Sequence, residues 1–183
     1  MISEKIICAG FGGQGVMLMG QLLAYAANER GFNTLWYPSY GPETRGGTAN
    51  CSVTISEVQV NSPVISKADT VIVMNKPSLE KFEEKVKPQG KLFVNSSLID
   101  QQSTRTDIEA FYIPVNEIAG KLGNFKVANM VMLGAYLAKT QLFDDQLMIR
   151  LLEKLFGEKK AHLIGLNHRA ITAGRDYYNQ NYK

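Results

Sequence analysis

Four glycines and one glutamine crowd the run Ala9-Gly10-Phe11-Gly12-Gly13-Gln14-Gly15 near the start of the chain. Gly10, Gly12 and Gly15 satisfy the spacing G-x-G-x-x-G, with an apolar run before them and a helix-like run after. In that context the spacing suits phosphate: the turn is tight, the backbone can approach closely, and the N–H groups of a helix start attract an anion. Two companions of that chemistry are missing. A nicotinamide or flavin site wants an acid near the end of the second strand to bind ribose hydroxyls. Here that position reads Leu35-Trp36-Tyr37-Pro38-Ser39-Tyr40, and the nearest acid, Glu43, comes only after Pro38. A P-loop wants Gly-Lys-Ser/Thr where this chain has Gln14-Gly15-Val16. Gly10, Gly12, Gly13, Gln14 and Gly15 therefore read in two ways. They form a backbone anion site for a phosphate-bearing group, or they let the following helix start close to the sheet or to another subunit.

A second group lies in the stretch from Tyr40 to Gly47, which has neither a helical nor a strand period. Arg45 carries a planar fork that pairs bidentately with carboxylate or phosphate. Glu43 and Arg45 read as charged contacts with a partner subunit or a ligand, or as a local surface pair of little energetic weight. Tyr40, Gly41, Gly46 and Gly47 would shape that loop. Asn129 opens a helix carrying Met130, Met132, Leu133 and Leu137. It reads as a polar residue satisfied within a core, or, with Gly134, as part of a helix that approaches another subunit. Asn95, Ser96 and Ser97 follow a strand end, where ligands sit in open sheets. His162 and His168 are isolated from each other and from any carboxylate pattern. Cys8 and Cys51 are the only cysteines. By count they allow one disulfide, and their apolar settings favour buried free thiols. Nothing has the spacing of a zinc or iron–sulfur set, and no catalytic constellation is apparent.

The elements that must position these residues follow from periodicity. Lys5–Gly10 is a compact apolar run ending at glycine, as a buried parallel strand should be. From Val16 to Arg30 apolar residues recur at helical spacing, and Gly31 marks the end. Phe32–Pro38 reads as a second strand stopped by Pro38, which completes a Rossmann-like β-turn-α-β start. Thr48–Ser56 alternates, and with Val58–Ile65 it predicts an antiparallel excursion with a hairpin across Ser56–Gln59. Ala68–Asn75 is a buried strand. Pro77–Val86 is a helix with Leu79, Phe82 and Val86 on one face. Lys87–Gly90 is a turn, Lys91–Ser96 a strand and Ala110–Val115 a further short strand. Helices fill the remainder from Val127. The fold class is a single layered α/β domain over 1–183, with a mixed sheet and a helical C-terminal third.

At 183 residues, 45% apolar and 20% charged, the composition is that of a globular domain with a real core. The net charge of +3 is small and the cations are scattered, so no basic patch points to nucleic acid. No run approaches the roughly 20 apolar residues that cross a bilayer. No signal core precedes the first strand, so a cytoplasmic setting is expected.

Taken together, Gly10–Gly15, the stretch Pro38-Ser39-Tyr40-Gly41-Pro42-Glu43-Thr44-Arg45-Gly46-Gly47-Thr48-Ala49-Asn50-Cys51-Ser52-Val53 and the run Asn129–Ala135 resemble the gamma subunit of the 2-oxoacid:ferredoxin oxidoreductases. The resemblance spans nearly the whole chain. The wording of the middle stretch, with Met74–Phe82 later, looks most like the 2-oxoglutarate branch; pyruvate and branched-chain (ketoisovalerate) branches are the alternatives. The resemblance implies a complex that decarboxylates a 2-oxoacid oxidatively with coenzyme A, giving acyl-CoA and reduced ferredoxin. It implies alpha and beta subunits and a ferredoxin-like delta subunit as partners. It implies thiamine diphosphate, Mg2+ and iron–sulfur clusters in the complex, with none bound by this chain alone. On that footing the chain by itself is inactive, and the glycine loop or Arg45 would face CoA. A free-standing NAD(P)- or flavin-binding protein is the reading of another class.

Overall fold

The computed structural model describes residues 1–41 and 48–183. Six strands form one mixed sheet: β1 (Ser3–Phe11), β2 (Asn33–Tyr40), β3 (Thr48–Ser56), β4 (Ala68–Val73), β5 (Val86–Asn95) and β6 (Glu109–Ile113), in the order β2-β3-β1-β4-β5-β6. β1, β4, β5 and β6 run parallel. β3 lies antiparallel between β1 and β2, so β2 runs in the direction of β1 without touching it. The expected β-turn-α-β start is present, with β3 inserted into it.

Alternation along β1 assigns the two faces of the sheet. Ile6 and Cys8 point into one core, with Cys51, Val53, Ile72 and Phe93. Ile7 and Ala9 point into the other, with Val71, Val73, Leu92 and Val94. The first face carries α1 (Val16–Glu29), α4 (Ala128–Thr140), α5 (Asp145–Phe156) and α6 (Ile164–Tyr182); the second carries α2 (Lys76–Phe82). A short α3 (Val115–Lys121) follows β6. α4 is apolar all round and buried from Ala128 to Ala138, as a helix with protein on every side must be. α6 crosses it closely. Cβ atoms built on Gly134 and Gly174 would lie 2.8 Å from the carbonyl carbon of Ile171 and 2.7 Å from that of Val131. Each helix thus rests its backbone on a glycine of the other.

Four expectations are corrected. Pro38 does not stop the second strand: β2 continues to Tyr40, with Pro38 opposite Cys51. β2 is an edge strand, where a residue without an N–H costs no ladder bond. The hairpin across Ser56–Gln59 is absent. β3 pairs with β2 and β1, and residues 57–67 form no strand. Val58 and Val64 are exposed, and Ser56 Oγ and Ser62 Oγ accept from their N–H groups. These local side-chain turns supply an alternative to a ladder. Val86 is not on the face of α2 but opens β5 opposite Ala68. Lys87–Gly90 is a bulge inside β5 rather than a connecting turn, marked by the register shift between Ala68 and Thr70 and by Gln89 at φ 64°.

Candidate functional site

The parallel strands β1, β4 and β5 end together, and ligands in open α/β sheets bind beyond such ends. Gly10 is the penultimate residue of β1, and Gly12–Gly15 connect β1 to α1. Gly12 and Gly13 are exposed, with open space where a Cβ would stand. The inner side of the loop is filled by the chain itself. Gln14 Oε1 accepts from the Phe11 N–H at 2.6 Å, and Gln14 Nε2 donates to the Met74 carbonyl at 3.2 Å. Gly10 is glycine because a Cβ there would sit 2.6 Å from Gln14 Oε1. The glutamine thus takes a backbone N–H that a dinucleotide phosphate would otherwise approach, and stitches the end of β1 to the end of β4.

The Met74 carbonyl accepts a second bond, from Asn95 Nδ2 at 3.1 Å. Asn95 is fully buried. Its Nδ2 also donates to Asn116 Oδ1 at 2.7 Å, and its Oδ1 accepts from the Ser97 N–H at 3.2 Å. Ser97 Oγ accepts from the Asn116 and Glu117 N–H groups. Beside this network lies a cleft of about 200 Å3 lined by Gly13, Gln14, Met74, Asn116, Phe125 and Lys126. Phe125 and Lys126 are exposed, and among the described residues Lys126 has no carboxylate partner. Asn75 Nδ2 and Ser78 Oγ, just past the end of β4, are buried without hydrogen-bond partners among the described residues. A wider groove of about 600 Å3 between α1 and α5 has the Glu29–Lys154 ion pair on its rim, so its charges neutralise each other. It lies away from the strand ends.

Asn129 belongs to the glycine loop. It is buried, its Nδ2 donates to the Gly15 carbonyl at 3.2 Å, and its Oδ1 accepts from the Met130 N–H at 2.9 Å. Gly134 makes its close approach within the chain, to α6. Tyr40 is exposed, and the Gly41 N–H donates to the Thr48 carbonyl at 2.8 Å. Thr48 faces Phe11 across the ladder, so both ends of the Tyr40–Thr48 connection emerge beside the glycine loop. Glu43, Arg45, Gly46 and Gly47 lie outside the described residues. Asn116, Phe125 and Lys126 escaped the reading of the sequence, since no spacing ties them to the loop.

The described residues offer no donor set for a metal ion or an iron–sulfur cluster. Among the described residues no three His, Cys, Asp or Glu side chains converge. The two cysteines of the whole chain are a buried pair opposite each other on β1 and β3, so no thiolate set is left for a cluster. β2 ends in Pro38, Ser39 and Tyr40 with no acid for a ribose. Among the described residues, no helix is long and apolar enough to cross a membrane.

Residues 5–177 match the pyruvate ferredoxin/flavodoxin oxidoreductase family. Ketoisovalerate oxidoreductase subunit VorA of Methanothermobacter thermautotrophicus is 38% identical over 97% of this chain and 37% of its own length. The chain thus spans little more than a third of that relative. The 2-oxoglutarate synthase subunit KorC of Methanocaldococcus jannaschii is 32% identical over 79% of both chains. The gamma subunit of a keto/oxoacid ferredoxin oxidoreductase from Geobacter sulfurreducens superposes with a TM-score of 0.82 at 26% identity, covering 97% of this chain and 99% of that one. A 2-oxoglutarate:ferredoxin oxidoreductase from Magnetococcus marinus, solved with 2-oxoglutarate, coenzyme A and succinyl-CoA bound, shares the fold at a TM-score of 0.90 and 22% identity. It covers all of this chain and 32% of that one.

Proposed function

The chain belongs to the pyruvate ferredoxin/flavodoxin oxidoreductase family, and from that premise we propose that it is the gamma subunit of a 2-oxoacid:ferredoxin oxidoreductase. Alpha and beta subunits and a ferredoxin-like delta subunit are its partners. It holds none of the thiamine diphosphate, Mg2+ or iron–sulfur clusters. Its part is to present the ends of β1, β2 and β4, and the two loops that leave them, toward the site its partners build. The observation that carries this reading is the sheet end itself. The glycine loop and the two described ends of the Tyr40–Thr48 connection, Gly41 and Thr48, lie side by side, and Gln14 and Asn95 beside the loop spend their amides on the chain itself rather than on catalysis. CoA would approach this end. Lys126 at the cleft, without a carboxylate partner among the described residues, supplies a cation for its phosphates, and the planar fork of Arg45 is the second.

The wording of the Pro38–Val53 stretch favours 2-oxoglutarate as the 2-oxoacid. Ketoisovalerate is the second reading, favoured by the 38% identity to a ketoisovalerate oxidoreductase subunit. Purification of the native complex through this chain tests both readings. It is expected to recover a thiamine-diphosphate-binding chain and an iron–sulfur chain, with ferredoxin reduction dependent on one of these acids and CoA. In that complex Arg45→Ala should raise KM for CoA severalfold and leave KM for the 2-oxoacid unchanged. Equal effects on both, or none, would remove Arg45 from the CoA path. Recovery of this chain alone with a bound nucleotide would overturn the assignment.

A further inference from the structure

Cys8 and Cys51 stand directly opposite each other in the antiparallel ladder of β1 and β3. Both are fully buried in the core beneath α1. Directly opposed residues in such a ladder have Cα atoms about 4.5 or 5.5 Å apart and point to the same face. Both separations lie within the range of about 4.4–6.8 Å that a disulfide spans, so the two sulfurs are within bonding reach once the Cβ atoms, about 4.5–5.5 Å apart in such a pair, are drawn slightly together. The thiols differ in their surroundings. Cys51 Sγ donates to the Val16 carbonyl at 3.4 Å. α1 reaches it through Gly20, where a Cβ would overlap the sulfur and lie 3.0 Å from Trp36 Nε1. That indole N–H is buried without a conventional acceptor. The hydrogen bond from Cys8, and the Trp36 indole after burial's opposing effect, hold the Cys51 thiol below its usual pKa. The same Cys8–Cys51 bond, with burial, pushes the Cys8 thiol well above its own.

We propose that Cys8 and Cys51 form a latent dithiol site that hydrogen peroxide converts into an intramolecular β1–β3 disulfide, beneath the start of α1. Cys51 attacks first: its sulfur bonds to one peroxide oxygen, the O–O bond breaks, and the departing hydroxide takes up the Cys51 proton as water. The Cys8 sulfur then attacks the resulting sulfenic sulfur. The S–S bond forms, the S–O bond breaks, and the second hydroxide leaves as water with the Cys8 proton. Two sulfurs lose two electrons between them, and one peroxide becomes two waters. Because both thiols are fully buried, the reaction requires a local opening of the first turns of α1, which cover Cys51 through Val16 and Gly20. The product fastens β1 two residues before Gly10 to β3 four residues after Gly47.

The folded full-length chain treated with hydrogen peroxide, then denatured, alkylated and weighed, tests the site. The expected product is a monomer two hydrogens lighter than the reduced chain and carrying no alkyl group. Its fragments should join Cys8 to Cys51. Cys8→Ser should instead accumulate a Cys51 sulfenic acid that dimedone captures, while Cys51→Ser leaves Cys8 unmodified. Quantitative alkylation of both thiols after peroxide, a disulfide only between chains, or oxidation of Cys8 in Cys51→Ser as fast as of Cys51 in Cys8→Ser would overturn the proposal.

Discussion

Gly174→Ala is expected to lower the stability of the chain by about 3 kcal/mol or more, against a total of roughly 5–15 kcal/mol for a domain of this kind. Alanine is ordinarily the better helix former, by about 1 kcal/mol over glycine, so propensity alone predicts the opposite sign. Packing decides the outcome. The added methyl would overlap the Val131 carbonyl oxygen and lie 3.1 Å from the Ala135 amide nitrogen. These are backbone atoms of a buried helix, and they cannot rotate away as a side chain would. α4 and α6 must separate, and α4 is also pressed on the sheet through Tyr136, whose ring meets Phe93 edge-on at 5.8 Å. Gly134→Ala meets the Ile171 carbonyl in the same way. Urea denaturation of the variants gives the comparison. A Gly174→Ala variant as stable as the parent would show that the helices do not cross this closely.

Gly15→Ala is expected to cost about 2–3 kcal/mol through two separable causes. Gly15 has φ 75°, in the left-handed region that costs an alanine roughly 1–2 kcal/mol. A Cβ there would also lie 2.7 Å from Asn129 Cγ. Asn129→Ala relieves the second cause while forfeiting the bond to the Gly15 carbonyl, worth about 1 kcal/mol. The double variant should therefore be more stable than the sum of the single losses by about 1 kcal/mol, measured as a double-mutant cycle in urea. Strict additivity would mean that Asn129 does not hold the loop. Because that bond joins α4 to the loop, Gly15→Ala should also weaken the association with partner subunits proposed above, whereas Gly174→Ala acts on the fold.

Periodic apolar runs made β1, α1, β4 and the C-terminal helices legible before any coordinates. Lys5–Gly10, Val16–Arg30 and Ala68–Asn75 each carry one period and one clear stop. The failures have local causes. The run from Val58 to Ile65 has strand-like composition, but Ser56 and Ser62 satisfy the N–H groups of Val58 and Val64, and those two valines face water. Val86 fits the helical period of Leu79 and Phe82, yet pairing with Ala68 takes it into the sheet. α3 buries only Val115 and Ala119 and carries little pattern. In the candidate site the glycine loop and Asn129 were legible as residues but not as a unit. The bond from Gln14 spans 60 positions to Met74, and that from Asn129 spans 114 to Gly15. Such pairings arise from sheet order, with β3 inserted beside β1, which no single window of sequence encodes.

The central claim is that this chain is a necessary gamma subunit without chemistry of its own. Reconstitution tests it directly: purified alpha, beta and delta subunits are assayed for ferredoxin reduction with CoA and either 2-oxoglutarate or ketoisovalerate, with and without this chain. The account predicts turnover only when the chain is present, and none from the chain alone. Full turnover in its absence would contradict the claim.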